Sequence, residues 1–194
     1  LPVQVQILGG DPGRVAESAA NAVAAGAAAI DLNFGCPAAT VNKHDGGATL
    51  LKDPPRVRAV VRAVREAVTA DIPVSAKMRL GWDRTDTIFE TSAMAAEGGA
   101  SWITIHARTR MQCYAPPVNW GLIGRVREQL GRPVVGPWNL GDFHSMVARH
   151  RPEPSPTTKP LAALQTQPGV FIDSSFENAS PVKSFITWPR SAPC

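Results

Sequence analysis

Cysteine is scarce in this chain of 194 residues, which carries only Cys36, Cys113 and Cys194. Three scattered thiols are too few for a disulfide framework or a zinc cluster, so no metal is expected. An odd, sparse set points to a reducing compartment. No stretch approaches the roughly 20 consecutive apolar residues of a membrane span. The opening LPVQVQILGG has no basic segment ahead of an apolar core and does not read as a signal peptide. It also lacks an initiator methionine and enters directly into a strand pattern, as though the start were missing. No GxGxxG follows that first strand, which weakens a dinucleotide-fold reading. These absences predict a soluble, cytoplasmic protein with neither a membrane nor a metal partner.

What is present suits a globular chain. Hydrophobic residues make up 44% and charged residues 19%, within the ordinary range for a packed domain. A chain of this length buries roughly two-thirds of its unfolded surface on folding. The formal net charge of +4 allows an anionic partner such as nucleic acid, although enzymes with neutral substrates look the same.

Up to about residue 136 strands and helices alternate. VQVQIL (3–8) alternates like a strand, and Asp11-Pro12 opens an alanine-rich helix stopped by Gly26. AAAIDLNF (27–34) is a continuous apolar run, as in a strand covered on both faces. A long loop is expected next, then a helix over 54–68 with Val57, Val60, Val61, Val64 and Val68 on one stripe. A strand over 73–80, a helix over 88–99, a strand over 101–107, a helix over 119–131 and a strand from 132 complete the pattern.

Such alternation predicts an α/β fold with a parallel sheet and right-handed crossovers. Polar residues gather at the C-terminal ends of several strands: Asn33 and Cys36, Lys77 and Arg79, His106 and Arg108. An open sheet binds at one switch point, whereas a barrel draws on every strand end, so a partial (β/α)8 TIM barrel is expected. Residues 1–136 form that barrel portion, short of a first strand and of the last strand–helix units. Residues 137–194 are dense in proline and serine without sustained period. They read as an irregular tail, either disordered or the product of a frame shift near residues 136–140.

Strand alternation puts Ser75, Lys77 and Arg79 on one face. Two cations aimed into a barrel are costly without an anionic or electron-rich ligand; pairing with a carboxylate such as Asp31 is the structural alternative. His106 shares a face with Thr104, and a lone histidine can equally be a satisfied core residue. A thiol is mostly protonated near neutrality, so Cys36 could act as a general acid. As a nucleophile it would want a base, and none lies nearer in sequence than His44; it could also be a small buried hydrophobe. Gly46-Gly47 could admit a ligand against the backbone or simply make a turn. Arg56, Arg58, Arg62 and Arg65 are either a basic surface for phosphates or a solvated helix face.

The segments VQILG, DLNFGCPAATVNKHDGGATLLKDP, VSAKMRLGW and ITIHARTR together resemble the tRNA-dihydrouridine synthases from about residue 3 to residue 135. That resemblance implies a flavin-dependent TIM-barrel oxidoreductase of tRNA processing. Its expected reaction is reduction of a D-loop uridine in tRNA to 5,6-dihydrouridine, with FMN as cofactor and NADPH as reductant. By the same resemblance Cys36 is the proton donor to C5 of the uracil. Gln6, Lys77 and His106 hold the flavin, and Asn33, Arg79 and Arg108 line the substrate pocket. A non-catalytic remnant of such an enzyme, or a related FMN barrel acting on free pyrimidines, are the alternatives. The chain departs from the family after RPVV, where Gly136, Pro137 and Trp138 replace an expected Asn-Gly pair.

Overall fold

A computed structural model describes residues 2–136. Five parallel strands lie side by side in chain order: β1 (Gln4–Ile7), β2 (Ala29–Phe34), β3 (Val74–Arg79), β4 (Trp102–His106) and β5 (Val134–Val135). Between them run α1 (Pro12–Ala24), α2 (Ala39–Lys43), α3 (Pro54–Ala67), α4 (Ile88–Glu97) and α5 (Trp120–Leu130). The expected irregular tail and shifted frame lie outside the described residues.

Which face the helices cover distinguishes a barrel from a doubly wound sheet. Ile30, Leu32 and Phe34 of β2, Val74, Ala76 and Met78 of β3, and Ile103 and Ile105 of β4 are buried in one apolar cluster. The same cluster takes Val15 and Ala19 from α1, the valines of α3, Ile88 and Ala95 from α4, and Leu122 and Val126 from α5. The helices therefore cover one face of the sheet. Alternation sends Gln6, Asp31, Asn33, Ser75, Lys77, Thr104 and His106 to the other face. That is the wall of a (β/α) barrel seen over five strands.

Local chemistry sets the helix ends. Asp11 accepts from the Arg14 amide at 2.8 Å and Asp53 from the Arg56 amide at 3.3 Å, each just ahead of proline in the first turn. The valine stripe of α3 lands as its period predicts, with Val57, Val60, Val61 and Val64 fully buried. Each contributes about 1.5–3 kcal/mol of transfer free energy. The expected long loop after β2 instead holds α2 and a 3-10 turn, Gly47–Lys52. Five residues with no side-chain cap are too short to show a period, which is why this helix was illegible.

The arginines of α3 are largely engaged within the protein. Arg56 donates to the Gly10 carbonyl at 2.9 Å and lies 3.6 Å from Asp45. Arg58 pairs with Glu97 at 3.2 Å. Arg65 gathers the carbonyls of Val68, Thr69 and Ile72 beyond its own helix end. Arg62 is exposed.

Candidate active site at the strand ends

The turn after β2 is built around Asn33. Its Oδ1 accepts from the backbone amides of Gly35 and Cys36, both at 2.9 Å, an Asx turn that fixes the chain as it leaves the strand. The Cys36 carbonyl in turn accepts from the Ala48 amide at 3.1 Å and from Asn42 Nδ2 at 3.0 Å. Gly47 presses against this turn at φ +60, where an added Cβ would sit 2.8 Å from the Cys36 carbonyl oxygen. The close approach permitted at the Gly-Gly pair is thus to the backbone of Cys36. The thiol-bearing residue is 4% exposed. His44 is exposed just past the end of α2.

Behind the turn lies a directed chain of hydrogen bonds across the interior face. Asn33 Nδ2 donates to Gln6 Oε1 at 2.9 Å, and Gln6 Nε2 donates to Asp31 Oδ2 at 2.6 Å. From the other side Gln4 Nε2 donates to Ser75 Oγ at 3.0 Å, and Ser75 Oγ to Asp31 Oδ1 at 2.5 Å. The strand register, pairing Gln6 with Asp31 and Asp31 with Ser75, makes these contacts inevitable. Burial pushes the Asp31 carboxyl above its ordinary value, against the pull of the Ser75 and Gln6 hydrogen bonds and the Lys77 charge.

One register step further, Asn33 pairs with Lys77 and Lys77 with Thr104. Lys77 is half-buried on the interior face. His106 stands opposite Arg79 in the register, and its ring meets Tyr114 edge-on at 6.1 Å.

Arg79 is 3% exposed and donates to three carbonyls: Gly35 at 3.0 Å, Thr109 at 3.0 Å and Cys113 at 2.7 Å. Desolvation lowers its pKa. The Tyr114 ring lies 5.5 Å from its guanidinium carbon. Arg79 therefore finds its electron-rich partners inside the protein, and it clamps the Cys36 turn to the loop after β4. Arg108 donates to the Ala115 carbonyl at 3.0 Å within that same loop.

Of the residues singled out from sequence, Gln6, Asn33, Lys77 and His106 share the interior face, with Cys36 at its rim. Arg79 and Arg108 are bound to backbone. Three residues of this region went unnoticed: Arg110, Tyr114 and Trp82. Arg110 donates to the Pro37 carbonyl at 3.0 Å, beside Cys36. It also lies 4.9 Å from the Trp82 ring, over which Lys52 sits at 3.7 Å. The second arginine of ARTR was the available signal for the first, and the tryptophan that closes VSAKMRLGW for the third; Tyr114 lies in an aperiodic segment that gave none. Among the described residues no cluster of His, Cys, Asp or Glu could hold a metal, and no helix is long and apolar enough to cross a membrane.

The dihydrouridine synthase family model matches residues 1–150, past the limit of the motif resemblance. The tRNA-dihydrouridine(16) synthase of Aquipseudomonas alcaligenes is 50% identical over 145 residues, 73% of this chain and 46% of that protein. Its namesake from Pseudomonas putida is 49% identical over 146 residues, 74% of this chain and 45% of that protein. The chain thus spans less than half the length of these relatives. Among solved structures, a dihydrodipicolinate synthase family protein from Coccidioides immitis superposes with TM-score 0.54 at 18% identity, covering 76% of this chain and 48% of that one. A prophage protein of the same family from E. coli K12 gives 0.51 at 16% identity, covering 70% and 43%. At such identities the likeness concerns the fold alone.

Proposed function

The chain belongs to the dihydrouridine synthase family, and from that premise we propose that its strand-end site serves the reduction of a tRNA uridine to 5,6-dihydrouridine. The cofactor is FMN, NADPH is its reductant, and the substrate is the D-loop uridine at the position that the relatives' names carry, 16. The observation that carries this reading is the placement of Cys36. It is a buried thiol in a turn locked by Asn33, Gly47 and Arg79, at the edge of a polar interior face.

The donor set suits a flavin ring. Lys77 brings an ammonium, Gln6 a carboxamide N–H and His106 an imidazole, all on one face, to carbonyl and ring-nitrogen acceptors. Asp31, the one carboxylate on the interior positions of these strands, is already engaged by two donors. When bound, reduced FMN supplies the hydride for C6 of the uracil. Cys36 would hold the proton that goes to C5, so that one hydride and one proton add across the double bond. Asn33 orients the base through its side-chain N–H. Because a base inside folded tRNA must be extruded to reach such a pocket, the loop from Arg108 to Ala115 forms the wall beside its path. Phosphate contacts at the rim supply salt-dependent affinity.

The experiment is a flavin titration of the full chain, followed by assay of dihydrouridine in tRNA. Cys36→Ala is expected to bind FMN like the wild type and to yield no dihydrouridine; undiminished product would refute the proton-donor role. Free uracil in place of tRNA distinguishes a free-pyrimidine reductase, for which it would be the better oxidant.

A further inference from the structure

Every donor in the interior network points toward one residue. The amides of Gly35 and Cys36 donate to Asn33, Asn33 to Gln6, and Gln6 to Asp31 Oδ2. Gln4 donates to Ser75, and Ser75 to Asp31 Oδ1. We infer that Asp31 is a positioning residue: its Oδ2 fixes the direction of the Gln6 and Asn33 carboxamides and, through them, the Cys36 turn.

The chemistry of carboxamides makes direction the issue. A carboxamide has one end that donates and one that accepts, and either end can face a neighbour unless a fixed partner chooses. A carboxylate oxygen facing Gln6 can only accept, so Gln6 turns its nitrogen toward Asp31. Its oxygen is then left for Asn33, which must present nitrogen. The Asn33 oxygen becomes free to take two backbone amides, as observed. Those two bonds saturate that oxygen, so the valence Asn33 retains for a ligand is an N–H. The interior face at Asn33 therefore selects a ligand edge that accepts, such as a ring carbonyl, over one that donates, such as an amine. Only this last step, the nature of the ligand, rests on the function proposed above.

Asp31 Oδ2 keeps this role in either protonation state. A proton on Oδ1 passes a hydrogen bond to Ser75 Oγ, which turns toward the Ile30 carbonyl 3.5 Å away. Asparagine at this position can do the same, with its oxygen toward Gln6 and its nitrogen toward Ser75. A residue with no acceptor cannot. A counter-ion role toward Lys77 makes the reverse demand, since it needs the charge and is indifferent to the acceptor.

The test follows alkylation of Cys36 by iodoacetamide in the full chain, resolved at the peptide level by mass spectrometry so that Cys36 alone is read. It uses neither flavin nor tRNA, so its outcome is independent of the catalytic assay. Asp31→Leu and Gln6→Leu both break the chain of bonds and are expected to speed Cys36 labelling at least ~10-fold, the scale of a buried hydrogen-bonding group left without its partner. Asp31→Asn is expected to label within about 2-fold of wild type. Gln6 is only half-buried, so its variant carries the test if Asp31→Leu does not fold. Wild-type labelling in Gln6→Leu would overturn the inference. So would fast labelling in Asp31→Asn, which would assign Asp31 to charge rather than direction.

Discussion

Nη1 of Arg79 donates to the carbonyl oxygen of Cys113 at 2.7 Å, joining the end of β3 to the loop that follows β4. The same guanidinium holds Gly35 and Thr109, so one buried side chain ties three segments around the candidate proton donor. Removing it leaves three carbonyls to find new partners, each costing about 1–3 kcal/mol if it stays buried. Arg79→Met is expected to lower the unfolding free energy by roughly 2–4 kcal/mol. Arg79→Lys should recover less than half of that, because one ammonium cannot reproduce the planar fork. Urea denaturation of the two variants reads both numbers. Equal stability of lysine and arginine would show that charge alone matters here.

Glycine at position 47 is tested against glycine at 124. Gly47→Ala places a Cβ at 2.8 Å from the Cys36 carbonyl oxygen in a left-handed backbone and is expected to cost about 2–3 kcal/mol. Gly124 lies within α5 and faces nothing within 4 Å, so Gly124→Ala is expected to gain about 0.5–1 kcal/mol. Thermal melts of the pair should move in opposite directions.

The buried carboxyl of Asp31 makes stability depend on pH with an unusual sign. Burial raises its native pKa above the ordinary 3.8, so the folded state holds the proton more tightly than the unfolded one. Its contribution to stability is fully present below the unfolded value and is lost as pH rises through the raised native pKa. Asp31→Asn has no such titration. The melting temperature of that variant minus that of wild type is expected to grow with pH from about 4 through this window and then level off. A difference that shrinks with rising pH would mean that hydrogen bonds outweigh burial at this carboxylate.

Arg65 separates support of the fold from support of RNA binding. Its guanidinium collects three carbonyls past the end of α3. Arg65→Gln should therefore lower stability by about 1–2 kcal/mol. The slope of log affinity for tRNA against log salt should stay unchanged, since each lost phosphate contact would shift it by roughly 0.7–0.9. A shallower slope would return this arginine to the nucleic-acid surface.

The sequence made some of this legible because burial writes a period. The valine stripe of α3 and the alternation of Ser75, Lys77 and Arg79 each located a face correctly, and the strand-end position of Cys36 followed from them. Direction within the polar network was not legible. That Asn33 spends its oxygen on two backbone amides depends on the register of β1 against β2, which no local pattern reports. The partners of Arg79 were hidden for a similar reason. They are backbone carbonyls, and any residue type can supply one.

Strand order equal to chain order has a bearing on how the site comes into being. Gln6 and Asp31 are 25 residues apart, and Asp31 and Ser75 are 44 apart. As the chain leaves the ribosome, the residues of the Gln4–Ser75–Asp31–Gln6–Asn33 floor therefore all emerge before Thr109 and Cys113 do. Synthesis proceeds from the N-terminus, and here the order of emergence is also an order of parts. The nascent site begins as an open polar shelf, and it gains its clasp only when the loop after β4 arrives to meet Arg79.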